Sequence, residues 1–194
     1  LLLISGLFFV LINTNIQQLY LLLPQEYAGG VWVVFMISLL KLFNGFMGNN
    51  GAIINNSKLY RIMLPISICM ALSVYLLNKL FYYELEMGTD GLALATLIVI
   101  VSANIFKLYF VKKKFFMTPF TKKTFIMIMI ITVLYLLFNF WDFSVENVYV
   151  LNLPIHPIIN IFLKSLCTVI VYLFLIFRLN ISSEFSTLFK RYYK

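Results

Sequence analysis

The chain has 194 residues, of which 62% are hydrophobic and only 11% charged, with a mean hydropathy of +0.97. Soluble domains are near half apolar and a quarter charged, so the composition excludes an ordinary water-soluble fold. The net charge of +8 does not point to nucleic acid, because the basic residues lie at the ends of apolar stretches and not on a soluble basic domain.

A bilayer core of about 30 Å needs about 20 apolar residues at helical rise. The sequence predicts such spans at 1–15, 30–49, 60–80, 91–111, 124–141 and 157–178. Backbone groups in lipid must bond within their own segment, so each is expected to be an α-helix. The runs are continuous and too long for the alternating strands of a β-barrel. The expected fold class is therefore all-α, a polytopic six-span transmembrane bundle over 1–178 with an amphipathic tail at 179–194.

The gaps have distinct characters. Ile16 to Pro24 is amphipathic and is expected to lie in the interface, ended by Pro24. Asn49 to Ser57 is rich in Asn and Gly and reads as a turn. Lys112 to Thr124 is basic, with Pro119 as a breaker and Thr121 as a cap for the next span. The gap before the last span holds Pro154 and Pro157. In the tail, Phe185, Leu188, Phe189, Tyr192 and Tyr193 recur at helical spacing among Lys190, Arg191 and Lys194, which suits the surface of an anionic leaflet.

The charges sort by side. Reading the gaps alternately as outside and inside puts Glu26, Glu84, Glu86, Asp90, Asp142 and Glu146 outside. Lys58, Arg61, Lys112, Lys113, Lys114, Lys122, Lys123, Arg178, Lys190, Arg191 and Lys194 then fall inside. Short cytoplasmic loops retain Lys and Arg, so both ends of the segment are expected in the cytoplasm. Leu1 is not a methionine and opens within an apolar run. The expectation is a C-terminal piece of a longer protein, not a signal peptide. Cys69 and Cys167 lie within spans without a CxxC or Cys/His cluster, so no disulfide framework or zinc site is indicated. No Walker A, HExxH or GxSxG motif occurs, and no cofactor or enzymatic centre is expected.

Lys41 stands near the middle of the second span. A lysine facing lipid costs on the order of 3 kcal/mol on insertion scales. It either lines a path for an anionic substrate or snorkels to an interface. Lys164 in the last span poses the same choice, with snorkelling the preferred account. Gly45, Gly48 and Gly51, with Gly91, Ala93 and Ala95, suit close helix packing, with a gating hinge as the alternative. Asn44, Asn49, Asn50, Asn55 and Asn56 offer donors and acceptors that suit sugar hydroxyls or, alternatively, cap turns.

The run from Trp32 through Lys41 and Asn44, followed by Asn50-Gly51 and Ser57 to Arg61, resembles late spans of bacterial polysaccharide repeat-unit flippases. So do Gly91 to Leu97 and Lys112 to Lys122. These flippases belong to the multidrug/oligosaccharidyl-lipid/polysaccharide exporter superfamily. The resemblance implies the C-terminal lobe of an alternating-access transporter in the bacterial inner membrane, its N-terminal lobe lying upstream. It implies a lipid-linked oligosaccharide substrate, surrounding membrane lipids, and a coupling ion, proton or sodium. Lys41 and Arg61 would meet pyrophosphate or acidic sugars, and Asn44 and Asn50 sugar hydroxyls. The rivals are a membrane glycosyltransferase or polymerase of the same pathway, and a small-solute or multidrug exporter of the same superfamily.

Overall fold

Asn13, Thr14 and Asn15 follow an apolar run, yet the first helix continues through them. Asn13 Nδ2 donates to the Phe9 carbonyl at 2.7 Å, Thr14 Oγ1 to Val10 at 2.8 Å and Asn15 Nδ2 to Leu11 at 2.8 Å. Each side chain bonds a carbonyl one turn earlier, so its polarity is absorbed without breaking the ladder. A computed structural model of the chain, describing residues 1–24, 29–141, 149–150 and 153–181, accordingly has one helix, α1, over Leu2–Tyr20. The expected interfacial segment from Ile16 is thus mostly a continuation of the first span, and Gln18 is buried in it.

The other elements follow from local chemistry. α2 spans Val31–Met47 and stops at Gly48, whose φ of +70° lies in the left-handed region that favours glycine. The expected Asn-rich turn contains a short helix instead, α3 over Asn50–Asn55. Its fully buried Ile54 packs it down, and that apolar docking outweighs the turn preference of the flanking amides. A 3₁₀ turn at Tyr60–Ile62 leads into α4, Met63–Lys79, with Pro65 tolerated in the first turn. A π turn at Leu80–Glu84 then connects to α5, Gly88–Phe115. Lys112, Lys113 and Lys114 sit in the last turn of α5 and not in the loop, where their charge complements the helix dipole. α6, Lys122–Asn139, begins as expected from Thr121: Thr124 N donates to Thr121 Oγ1 and Thr121 N to Thr124 Oγ1. A two-residue antiparallel ladder, β1 Tyr149–Val150 and β2 Leu153–Pro154, precedes α7, Ile155–Arg178. Pro157 lies in the first turn of α7, where its missing N–H is no loss. Residues 182–194 of the expected amphipathic tail lie outside the described residues, as do Glu26, Asp142 and Glu146.

The fold is all-α, a multi-pass helical bundle. Among the described residues, five helices are long and apolar enough to cross a membrane: Leu2–Tyr20, Tyr60–Glu84, Gly88–Phe115, Lys122–Asn139 and His156–Arg178. The remaining apolar helix, α2, is shorter and carries Lys41.

Contacts divide the chain into two units, residues 1–5 with 29–120 and residues 6–28 with 121–194. In the first unit α2, α3 and α4 pack against α5. The α5 face that receives them is small: Gly91, Ala93, Ala95, Val99 and Ala103 are buried, which lets helix axes approach closely. Only Ile66 of α4 is buried, while Leu64, Ile68, Leu72 and Leu76 are exposed. A helix apolar all round with so little protein cover is one that lipid solvates. The tight turn joining α4 to α5 makes them an antiparallel pair. Glu84, Glu86 and Asp90 gather at that turn, and Arg61 and Lys112 to Lys114 stand at the far ends. Lys79 is the exception, on the acidic end.

In the second unit α6 packs on α7, and side chains of α1 touch both. Phe9 and Tyr135 rings lie 5.7 Å apart. Lys123 Nζ donates to the Asn180 carbonyl at 2.8 Å, fixing the start of α6 beside the end of α7. Gly6 sits where three helices converge. A Cβ there would overlap the Ile131 side chain and stand 3.0 Å from Tyr172 Oη. In the first unit Gly45 is equally tight against Ser5. Gly6→Leu and Gly45→Leu are each expected to lower stability by roughly 1–3 kcal/mol through overpacking. Melting of purified protein in detergent, with Gly51→Leu as the control because nothing lies within 4 Å of its Cβ position, measures this.

Candidate functional site

The side chains that carry chemistry within the second unit fall on one stripe of α7. His156, Asn160, Lys164, Thr168 and Tyr172 recur every fourth residue, which in a helix stacks them on one face. Asn160 and Thr168 are 0% exposed and Lys164 2%, while Phe162, Leu166, Ile170 and Phe174 on other faces are exposed. The helix therefore turns its polar residues inward and its apolar ones outward. That is the reverse of a helix in water.

α1 supplies the facing wall. Lys164 Nζ donates to the Thr14 carbonyl at 3.3 Å. Asn15 Nδ2 donates to Ser165 Oγ at 3.1 Å. Asn160 Nδ2 and His156 Nε2 lie 3.4 Å apart. Asn13, Thr14, Asn15 and Gln18 are all buried on α1. Two buried oxygens of this wall, Asn15 Oδ1 and Thr168 Oγ1, have no hydrogen-bond partner among the described residues. Buried polar atoms in a low-dielectric interior are costly unless bonded, so these two oxygens set the α1–α7 wall apart from the apolar packing around it. Lys164 is thus not at a helix end with its ammonium in water. The snorkelling account fails for it, because the side chain points into the helix packing and not along the span.

The sequence-derived site residues lie in the first unit. Lys41 is exposed on α2. Arg61 is exposed too, its guanidinium 5.9 Å from the Tyr60 ring centroid. Asn44 is half-buried and accepts a short hydrogen bond from Asn104 Nδ2 of α5. Asn50 is buried and donates to the Met47 carbonyl at 2.8 Å, across the α2–α3 break. Among the described residues, no hydrogen bond joins these four to one another. Asn104 was not singled out from the sequence, nor were Asn15, Asn160 and Thr168. The available signal was the four-residue recurrence of polar side chains in an otherwise apolar helix.

Hollows also lie between the helices of the first unit. A groove of about 450 Å³ between α4 and α5 is apolar, with Ile66, Met70, Leu77, Val99 and Phe106 in its walls. A second, of about 710 Å³, lies at the acidic end beside Tyr75, Asn78, Lys79, Tyr82 and Tyr83. Rings with polar tips suit that boundary between apolar core and water. No group of three His, Cys, Asp or Glu able to hold a metal occurs among the described residues.

No protein-family model, curated protein or solved structure matches this chain.

The Asn44–Asn104 pair is expected to tie α2 to α5. A double-mutant cycle with Asn44→Leu and Asn104→Leu should give a coupling of about 0.6 kcal/mol, the usual size of an interhelical hydrogen bond in membranes. Thermal melting of the two single variants and the double variant checks it.

Proposed function

We propose that this chain belongs to a transporter that moves lipid-linked oligosaccharide across the bacterial inner membrane. The observation that carries the reading is the buried lysine of α7 within an inward-facing polar wall. Ionisable groups placed inside membrane bundles mark substrate or ion pathways, because their insertion is too costly to retain without use. A purely structural subunit would pack that face with apolar or small residues. The sequence motifs around Lys41, Asn50 and Gly91 supply the substrate class through their resemblance to repeat-unit flippases.

Lys41 and Arg61 are exposed, as groups that meet a pyrophosphate must be. Asn44, held by Asn104, presents an amide beside them in sequence, whereas Asn50 serves the α2–α3 connection first. In this reading the positive-inside rule assigns the Lys112 to Lys114 end of α5 to the cytoplasm and the Glu84 turn to the outside.

Two measurements test this. In a background with Cys69→Ser and Cys167→Ser, an impermeant thiol reagent added from outside should label Glu86→Cys and miss Lys113→Cys. The reverse labelling would invert the topology. In cells lacking their own flippase, Lys41→Ala should reduce polysaccharide export by roughly 10- to 100-fold at unchanged abundance, the size of a lost charge-assisted hydrogen bond of about 1.5–3 kcal/mol. Lys41→Arg should be milder. Export of drugs or small solutes in place of the glycan would favour the exporter rival, and sugar transfer would favour the enzyme.

A further inference from the structure

We infer that the α7 stripe is a proton path across the membrane, with Lys164 as the residue that carries the proton. The inference rests on the transporter reading for its use, as the coupling ion, but its geometry is independent of the substrate. His156 to Tyr172 is sixteen residues, about 24 Å along a helix, against a hydrocarbon core of about 30 Å. A column of groups that donate and accept hydrogen bonds therefore runs through most of the apolar barrier. Its three titratable members, His156, Lys164 and Tyr172, are evenly spaced, and Asn160 and Thr168 stand between them.

Successive members are about 6 Å apart along the axis, so transfer needs a bridging donor–acceptor between them. The wall provides places for one. Asn15 Oδ1 and Thr168 Oγ1 are buried acceptors without a described partner, on either side of the α1–α7 contact at Lys164. The Thr14 carbonyl and Ser165 hydroxyl complete a polar surround made of oxygens. In the transfer step one Nζ–H bond of the ammonium breaks, a bridging water accepts the proton, and Lys164 is left as a neutral amine. A proton from the opposite side then restores the ammonium.

A proton fits this place better than a larger ion or a substrate. Asn160, Lys164 and Thr168 are packed to near-zero exposure, and a proton needs no more room than single bridging waters take. A fixed ammonium also repels a second cation. Titratable side chains on the elements packed here are Tyr20 of α1 and Tyr135 of α6, with His156, Cys167 and Tyr172 on α7 itself. Lys122, Lys123 and Arg178 stand at the helix ends. Neither α1 nor α6 contains Asp or Glu. Within this helix packing Lys164 is the buried amine of the stripe, placed midway between His156 and Tyr172.

The test uses the protein reconstituted into liposomes of neutral lipid, with a pH-sensitive dye inside and an imposed pH gradient. Wild type should collapse the gradient faster than protein-free liposomes. Lys164→Gln, which has no titratable group, should fall to the protein-free rate. Lys164→Arg should do the same, because a guanidinium keeps the positive charge but does not give up its proton. Thr168→Val keeps the side-chain shape and should slow the collapse, so the proposal stays testable if a Lys164 variant does not insert. Sodium counterflow is followed in parallel. A wild-type rate in Lys164→Arg or Lys164→Gln, or a wild type no faster than empty liposomes, overturns the proton path, as does flux carried by sodium. Glycan export is scored separately in cells: intact proton flux without export would remove the oligosaccharide reading and leave the path standing.

Discussion

The rest of the structure depends on which way each helix turns its polar side chains. In water the apolar stripe of a helix is driven inward. Here α7 buries Asn160, Lys164 and Thr168 and exposes Phe162, Leu166, Ile170 and Phe174. Lipid already solvates the apolar face, so the hydrophobic effect no longer holds the helices together. Close packing and interhelical hydrogen bonds take over. The chain uses both. Gly6, Gly45, Ala95 and Ala103 bring axes near, and Asn44–Asn104, Asn15–Ser165 and Lys164–Thr14 bond across the contacts.

The same constraint governs how polar residues survive inside spans. Ser38, Thr96 and Thr132 each donate to a carbonyl of the preceding turn, as Asn13 and Thr14 do. A hydroxyl or amide that bonds its own helix costs little to insert. It leaves the interhelical contacts to the few residues that reach another helix. A polar group that must find its partner on another helix is sensitive to movement between helices.

Charge settles what packing does not. The acids at the α4–α5 turn and the lysines at the far end of α5 mark opposite ends of one antiparallel pair. The Lys123 to Asn180 bond brings the basic ends of α6 and α7 together. Lys79 departs from this sorting, on the acidic end beside Tyr82 and Tyr83. There its ammonium can sit at the aromatic boundary while its stem lies on apolar surface.

Much of the fold was legible in the sequence. Among the described residues, the five helices long enough to cross a membrane and the shorter α2 lie close to the stretches that hydropathy marks, and Thr121 caps α6 as its neighbours suggest. Both are local properties: span length and cap chemistry depend on residues a few positions apart. Where local reading failed, an apolar or hydrogen-bonding partner from elsewhere had overridden it. α1 runs on through Ile16 because its amides bond back and its wall faces α7, and Asn50–Asn55 coils because Ile54 is buried. The two lysines show the limit most clearly. In sequence Lys41 and Lys164 are equivalent, single cations in apolar runs. Only the tertiary structure exposes the first and buries the second, because which face of a helix meets a neighbour is decided by that neighbour's small and polar residues, distant in the chain.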